Sequence, residues 1–219
     1  MHPRDPSCPA PPSGSSRPPT HPLYALITEL ITRTLPSTFP DLTGPTTFAP
    51  HMTLTSGIDP AVYGDDPQGW LDAVPWPRAA DVGVRLETVA TQDVFFRRCY
   101  LKVAFADGIR QIAGLARAVG VSGEGHAIGP VTEGWLEEWR EAFGPHVSLI
   151  YGSNPIDDQK LKEISKAVED AGVSLSSSSN QGDKDASGNR GGWKGGVVWL
   201  VPTDKPIDEW KPIATRTLD

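Results

Sequence analysis

The sequence contains one short stretch twice, and this repeat decides the expected fold. The first copy, residues 48–57, reads FAPHMTLTSG, and the second copy, residues 143–152, reads FGPHVSLIYG. The copies share Phe, Pro, His, a hydroxyl residue, Leu and Gly at matching positions. Such an internal repeat indicates two related halves. Because the rest of the chain mixes short strands with amphipathic helices without strict alternation, we predict an α+β fold with antiparallel sheets.

Each copy carries a histidine followed two positions later by a hydroxyl residue. The first pair is His51 and Thr53, and the second pair is His146 and Ser148. Because side chains two positions apart on a strand point to the same face, the members of each pair project together. If a pseudo-twofold axis relates the two halves, we expect both pairs to meet in one central cleft.

Two imidazoles and two hydroxyls around one point suit attack on phosphorus. A neutral histidine can take a proton from water while a protonated histidine donates one to the leaving oxygen. A histidine pKa of about 6.5 allows both forms near neutral pH. The hydroxyls of Thr53 and Ser148 can donate hydrogen bonds to the non-bridging phosphate oxygens. This chemistry needs no metal and no cofactor, and the symmetry of the repeat leaves open which histidine is the base.

A purely structural interpretation of the repeat is weaker. A single His-x-Thr on a strand is more often a packed or surface histidine than a catalytic one. Packing and turns explain a duplicated Phe, Pro, Leu and Gly, but they give no reason to keep His and a hydroxyl residue on one face in both copies. We therefore interpret His51 and His146 as a catalytic acid–base pair.

Composition excludes several classes of protein. No apolar run approaches the roughly 18 residues of a membrane span, and the N-terminus lacks the pattern of a secretory signal. Cys8 and Cys99 lie in unrelated contexts without metal-ligand spacing, which favours a reducing, cytoplasmic compartment. The net charge of −7 disfavours binding of long nucleic acid and leaves a nucleotide-sized ligand as the expected partner.

The chain is expected to consist of a tail and one domain with a long polar loop. Residues 1–20 are rich in Pro and Ser and predict a disordered tail. Residues 21–219 form the predicted domain, whose two lobes carry one motif each. Residues 179–192 predict a flexible hairpin loop. The Gly pairs at 191–192 and 195–196 indicate either a bulge or a close approach of two strands.

Hydrophobic periodicity predicts the remaining elements. Helices are expected at 22–35 with its end at Pro36, at 107–119, at 133–142 with Thr132 as its cap, and from Asp157 to Ala171. Strands are expected at 52–58, 82–90, 94–106, 146–152, 173–177, 193–201 and 211–218.

The predicted strand at 94–106 includes the segment FFRRCYLKV (95–103). Its alternation places one set of side chains on a common face: Phe96, Arg98, Tyr100 and Lys102. We favour a half-buried strand with this face in solvent. In the alternative, Phe96 stacks on a base at the cleft, or Arg98 meets a phosphate there.

Paired H-x-[ST] motifs are typical of the 2H phosphoesterases, and the fuller pattern P-H-x-[ST]-L resembles the fungal and plant cyclic phosphodiesterases. The resemblance covers residues 22–218, and three further stretches strengthen it: FFRRCYLKV (95–103), HVSLIYG (146–152) and WKGGVVWLVPTDKPIDEW (193–210). It implies a bilobal 2H phosphoesterase fold, with two antiparallel sheets related by a pseudo-twofold axis, flanking helices, a central cleft, and no metal or cofactor.

The resemblance also implies an activity. This is hydrolysis of ADP-ribose 1″,2″-cyclic phosphate to ADP-ribose 1″-phosphate, downstream of tRNA splicing, and of nucleoside 2′,3′-cyclic phosphates to 2′-phosphates. The four motif residues of the family correspond to His51, Thr53, His146 and Ser148, and Tyr151 matches a tyrosine that lines the substrate site in similar enzymes. The expected protein is a cytoplasmic monomer without stable membrane insertion, with the Golgi association of fungal relatives as an alternative.

One feature departs from the family pattern. Fungal relatives usually have a short apolar strand just before the first helix, where this chain has CPAPPSGSSRPPTH (8–21). Proline lacks the amide proton and fixes φ, so this stretch cannot form such a strand. We therefore expect the first lobe to lack one strand, as an incorrect start or a lost exon would produce.

Two other functions remain open at this point. One is a 2H-type phosphodiesterase or ligase acting on RNA ends, which a basic groove would favour and the acidic net charge disfavours. The other is a non-catalytic nucleotide-binding module, against which the intact H-x-[ST] motifs in both halves argue.

Overall fold

The computed structural model describes residues 21–44, 47–176 and 190–219. The strands are β1 (Gly83–Ala90), β2 (Cys99–Val103), β3 (His146–Ile150), β4 (Gly192–Lys194), β5 (Val197–Leu200) and β6 (Ala214–Thr217). The α-helices are α1 (Pro22–Glu29), α2 (Leu35–Thr38), α3 (Pro60–Tyr63), α4 (Pro67–Ala73), α5 (Asp107–Arg117), α6 (Pro130–Ala142) and α7 (Asp158–Asp170). A four-stranded antiparallel sheet has the order β3-β2-β1-β4, and β5 pairs with β6 in a two-stranded antiparallel sheet. The predicted α+β fold with antiparallel sheets is confirmed.

One hydrophobic core joins the four-stranded sheet to the helices. Leu23 of α1, Ile109 of α5 and Ile164 of α7 are fully buried together with Leu86 of β1 and Leu101 of β2. Burial of a side chain of this size contributes roughly 1.5–3 kcal/mol to folding. The helical spacing of the apolar residues therefore fixes which face of each helix packs on the sheet, and the sheet in turn holds β3 in place.

The first helix does not end at Pro36 as the sequence predicts. It passes through a wider, π-type turn at Leu30–Thr34 and continues into α2, which contains Pro36. The Leu35 N–H donates to the Leu30 carbonyl, five residues back, so the hydrogen bonding is reset at this turn. Pro36 then stands at an early position of a new helix, where its missing N–H costs no hydrogen bond.

Helix α6 begins before the predicted start because its cap comes from elsewhere in the chain. The N-cap residue is Gly129, not Thr132, which is buried in the first turn. The Glu124 carboxylate accepts hydrogen bonds from the N–H groups of Val131 and Thr132, at 2.9 and 3.0 Å. A carboxylate at this end of a helix also meets the positive end of the helix dipole.

The predicted strand at 193–201 is two strands in two different sheets. Gly195 and Gly196 have φ angles of +69° and +136°, and the chain turns there from β4 into β5. In its described part, the segment predicted as a strand at 173–177 forms no regular strand, although the Ser174 N–H donates to the Arg190 carbonyl and the Ser176 N–H to the Leu86 carbonyl of β1. The close approach expected at the first Gly pair is confirmed, since a Cβ on Gly192 would lie 2.0 Å from the Val84 carbonyl oxygen.

Some predictions fall on residues that the structure does not describe. These are the tail at 1–20, with the expected absence of a strand there, and most of the loop at 179–192. In the described part of the chain, no helix combines the length and the apolar character needed to cross a bilayer.

Candidate active site

The two copies of the repeat meet at one edge of the four-stranded sheet. The second copy supplies the edge strand β3, and the first copy runs antiparallel beside it through a single bridge between Met52 and Val147. The strand predicted at 52–58 is thus reduced to one bridged residue. Residues on either side of an antiparallel bridge stand opposite each other and share a face. This register sets each motif histidine opposite the hydroxyl residue of the other copy: His51 opposite Ser148, and His146 opposite Thr53.

We call the face that carries these four residues the motif face. Both of its histidines are oriented by a carbonyl two residues upstream. Nδ1 of His51 lies 2.8 Å from the Ala49 carbonyl oxygen, and Nδ1 of His146 lies 3.0 Å from that of Gly144. Because a carbonyl oxygen can only accept, Nδ1 carries a proton in each ring. Nε2 is left in both imidazoles as the nitrogen that can exchange a proton with a ligand.

The two imidazoles differ in their surroundings. Burial lowers the pKa of His146 below its usual value, and the positive charges of Arg97 and His51 lower it further, against the raising effect of the bond to Gly144. The Tyr100 ring also packs edge-on against His146, with 5.3 Å between ring centroids. His146 therefore favours the neutral form, which is the form that accepts a proton.

The two hydroxyl residues of the motif face also differ. Ser148 is buried, and its Oγ donates to the Phe96 carbonyl oxygen at 2.8 Å. A hydroxyl has one proton, so Ser148 must turn away from Phe96 before it can donate to a phosphate oxygen. Thr53 is exposed and needs no such change. Tyr151 is buried beside Ser148, and burial raises the pKa of Tyr151 to about 12, against a smaller lowering effect of the Ser148 hydroxyl.

Aromatic rings extend from the motif face towards the C-terminal segment. Phe48 stacks on Tyr151 with 3.8 Å between centroids and meets His51 edge-on at 6.5 Å. Phe96 is 46% exposed, contacts Tyr151 edge-on at 5.2 Å and stacks with Trp210 at 6.1 Å. The sequence pattern assigned no role to Trp210, although it ends the stretch 193–210 that contributes to the resemblance. Its contact with Phe96 makes it an additional candidate.

The prediction for FFRRCYLKV is wrong in its first half. Phe95–Arg97 form a 3₁₀ turn, and β2 begins only at Cys99. The expected solvated face is found only in part, since Phe96 and Lys102 are exposed while Arg98 is 5% exposed and Tyr100 is buried. Arg97, on the opposite face, is also 5% exposed. Arg98 donates to the Gly152 carbonyl and to the Asp93 carboxylate. Arg98 is thus engaged inside the protein, and the structure does not support a phosphate contact by its side chain.

The family model for cyclic phosphodiesterase-like proteins matches residues 16–218 of the chain. The chain belongs to this family. The 2′,3′-cyclic-nucleotide 3′-phosphodiesterase of Neurospora crassa is 55% identical over 208 residues, which cover 92% of this chain and 95% of that protein. Proteins of the same name from Phaeosphaeria nodorum and Yarrowia lipolytica are 39% and 28% identical, over 78% and 77% of this chain and over 81% and 83% of their own lengths. The resemblance found in the paired motifs is confirmed.

For this cyclic phosphodiesterase-like protein, the geometry defines what the site can do chemically. Two imidazoles from opposed segments each present Nε2, and one of them is biased towards the neutral form. The Thr53 hydroxyl is exposed, the Ser148 hydroxyl is bound to the Phe96 carbonyl, and the exposed ring of Phe96 lies beside them with the partly buried ring of Trp210. In the described ranges, no group of three or more His, Cys, Asp or Glu side chains lies together in a way that could hold a metal ion.

Proposed function

We propose that this chain is a hydrolase that opens nucleoside 2′,3′-cyclic phosphates to nucleoside 2′-phosphates, without a metal or a cofactor. The observation that carries the proposal is the antiparallel pairing of the two motifs, which places both histidines on one face with Nδ1 bound and Nε2 available. The shared name of the three relatives, 2′,3′-cyclic-nucleotide 3′-phosphodiesterase, supports this substrate class.

The different surroundings of the two imidazoles support one assignment of their roles. Nε2 of neutral His146 takes a proton from water as the water oxygen forms a bond to phosphorus. The bond between phosphorus and the ribose 3′ oxygen breaks, and protonated His51 donates its Nε2 proton to that oxygen. The product is the 2′-phosphate, and one further proton exchange with solvent restores both histidines. His146 is the better base because its environment disfavours the charged form.

The remaining residues of the site bind and orient the substrate in this proposal. Thr53 and, after its hydroxyl turns, Ser148 donate to the non-bridging phosphate oxygens, where negative charge develops. The exposed ring of Phe96 and the partly buried ring of Trp210 beside it pack against the nucleobase, because aromatic rings stack on any base. Tyr151 holds this arrangement together through its contacts with Phe96 and Ser148.

The finer substrate and the setting are part of the same proposal. ADP-ribose 1″,2″-cyclic phosphate, formed downstream of tRNA splicing, carries the same five-membered cyclic phosphate and would meet the same two imidazoles. The net charge of −7 supports a small ligand over a long RNA strand. The proposal includes a soluble monomer in the cytoplasm.

The test of the proposal is turnover of 2′,3′-cyclic AMP and of ADP-ribose 1″,2″-cyclic phosphate in EDTA, with the products identified. We expect formation of the 2′-phosphate and the 1″-phosphate, and a loss of at least about 10³-fold in kcat for His51→Ala and for His146→Ala. His126→Ala is the matched control, because this histidine is exposed in a loop. Near-native turnover by either motif variant, or loss of activity on chelation, would contradict the mechanism.

A further inference from the structure

Arg97 lies beside the motif face but is turned away from solvent. Its side chain is enclosed between two aromatic rings, with the guanidinium carbon 4.5 Å from the centroid of Tyr100 and 5.2 Å from that of Phe143. Its Nη1 and Nη2 groups donate to the carbonyl oxygens of Ala142 and Phe143, at 3.2 and 2.5 Å respectively. Arg97 therefore spans the gap between the turn before β2 and the end of α6.

The positive charge of Arg97 is not neutralised within the described residues. No carboxylate there lies within ion-pair distance of it, and its Nε is buried without a hydrogen-bond partner. Its neighbour Arg98 is equally buried but has Asp93 at 2.7 Å. An unpaired buried cation is costly, so its presence beside the site suggests a role other than stability.

Two physical routes connect Arg97 to His146. The first runs through the backbone, since the carbonyls that Arg97 holds immediately precede Gly144, whose own carbonyl binds Nδ1 of His146. The second runs through Tyr100, which has the Arg97 guanidinium against its ring and the His146 imidazole at 5.3 Å. Both routes constrain the same imidazole.

We propose that Arg97 is a positioning residue for the general base: it fixes the turn and the tyrosine ring that hold the His146 imidazole, and its positive charge adds to the effect of burial in disfavouring the charged form of that imidazole. The inference rests on the proposed function for its catalytic meaning. The predicted effect of Arg97 on the pKa of His146 can be tested in the folded protein without any substrate.

The elements around His146 carry other charged groups, which are exposed or titratable. Lys102 stands opposite His146 in the register of β2 and β3, but its side chain is exposed. Glu141, at the end of α6, is also exposed and is screened by water. His51 approaches from the first copy of the repeat. Arg97 is the buried permanent charge of this group, and therefore the one whose removal changes the field at His146 most.

The experiment compares Arg97→Met and Arg97→Lys with the unmodified protein. The titration of His146 is followed by NMR of the free protein, with the resonance assigned through His146→Gln. In Arg97→Met we expect the pKa of His146 to rise by about half a unit, and the acidic limb of the kcat/KM profile to move up with it. In Arg97→Lys the charge remains, so the titration should stay in place while kcat falls about tenfold with little change in KM, because a lysine cannot hold both carbonyls.

Arg98→Lys is the control for disturbing a buried arginine in the same turn. We expect it to lower stability and to leave the His146 titration where it was, since Arg98 is paired with Asp93. An unchanged His146 pKa in folded Arg97→Met would overturn the electrostatic part of the proposal. If Arg97→Met does not fold, an unchanged kcat in Arg97→Lys would overturn the positioning part. A shifted titration in a protein that turns over no cyclic phosphate would support the role of Arg97 and refute the proposed function alone.

Discussion

His51 and His146 have the same ring orientation but different environments. The orientation follows from the repeat, because each ring binds the carbonyl two residues before it. The difference follows from long-range packing, since Arg97 and Tyr100 lie beside His146, whereas His51 meets a ring from its own copy, Phe48. The motif residues could therefore be selected from the sequence, whereas the different surroundings of the two rings could not.

The lowered pKa of His146 has a consequence for stability. Because the folded protein holds this imidazole neutral, the unfolded chain binds a proton more readily, and the free energy of unfolding falls as the pH drops below about 6.5. We expect urea unfolding between pH 7.5 and 5.5 to show a smaller fall in His146→Gln than in the unmodified protein. His126→Gln serves as the control and should keep the full pH dependence. An identical slope in the His146 variant would contradict the buried, neutral state of the ring.

The stacked pair Phe96 and Trp210 gives a prediction about substrate choice. If these rings pack against the base, Phe96→Ala and Trp210→Ala should each raise KM for 2′,3′-cyclic AMP about tenfold, with a smaller effect on kcat. The matched comparison is a ribose 2,3-cyclic phosphate without a base, for which neither variant should differ from the unmodified protein. Equal losses on both substrates would indicate that the rings support the fold of the site and not the recognition of a base.

At the scale of elements, the sequence predicted those helices and strands whose boundaries depend on residues of the same segment. Helix α7 begins where predicted, because the Asp157 carboxylate accepts the Lys160 N–H within the same turn. Strand β1 lies almost where the alternation of apolar residues places it. The start of α6 was predicted wrongly because its cap, Glu124, comes from a preceding loop and leaves no periodic signal at the helix itself.

The FFRRCYLKV segment shows why the rest of the site was not predictable from its own residues. Alternation predicts a strand with Arg98 on its solvated face, but Arg97 and Arg98 are both buried and donate to the backbone carbonyls of Phe143 and Gly152, far along the chain. These acceptors make burial of the two guanidinium groups tolerable, and the phenylalanines are left outside. The local pattern of polar and apolar residues contains no information about hydrogen-bond acceptors so far along the chain.

The contact of β4 with β1 depends on the absence of a side chain at Gly192. A Cβ there would lie 2.0 Å from the Val84 carbonyl oxygen, so the strands would have to separate. We expect Gly192→Ala to lower the free energy of unfolding by about 2–3 kcal/mol, as overpacking does elsewhere. Gly83→Ala, in the same strand pair but with open space at its Cβ, should change it by less than about 1 kcal/mol. Equal effects of the two substitutions in urea unfolding would contradict this close approach.

On the scale of the whole molecule, the two halves resemble each other in their motifs, but their contributions to the sheets differ. One copy forms the edge strand β3 of a four-stranded sheet, while the other contributes a single bridged residue beside it. The second sheet has only two strands and supplies, through its connecting segment, Trp210. The candidate site thus combines two related motifs with unrelated surroundings, and this combination places two chemically identical rings in different environments.

The measurement that tests the central claim most directly is a crystal structure of the protein bound to adenosine 2′-phosphate, the expected product. The crystals are grown in the presence of EDTA. The account predicts one phosphate group bound between the two motifs, with oxygens about 3 Å from Nε2 of both His51 and His146. A phosphate that contacts one imidazole alone, or that binds away from the motif face, would contradict it.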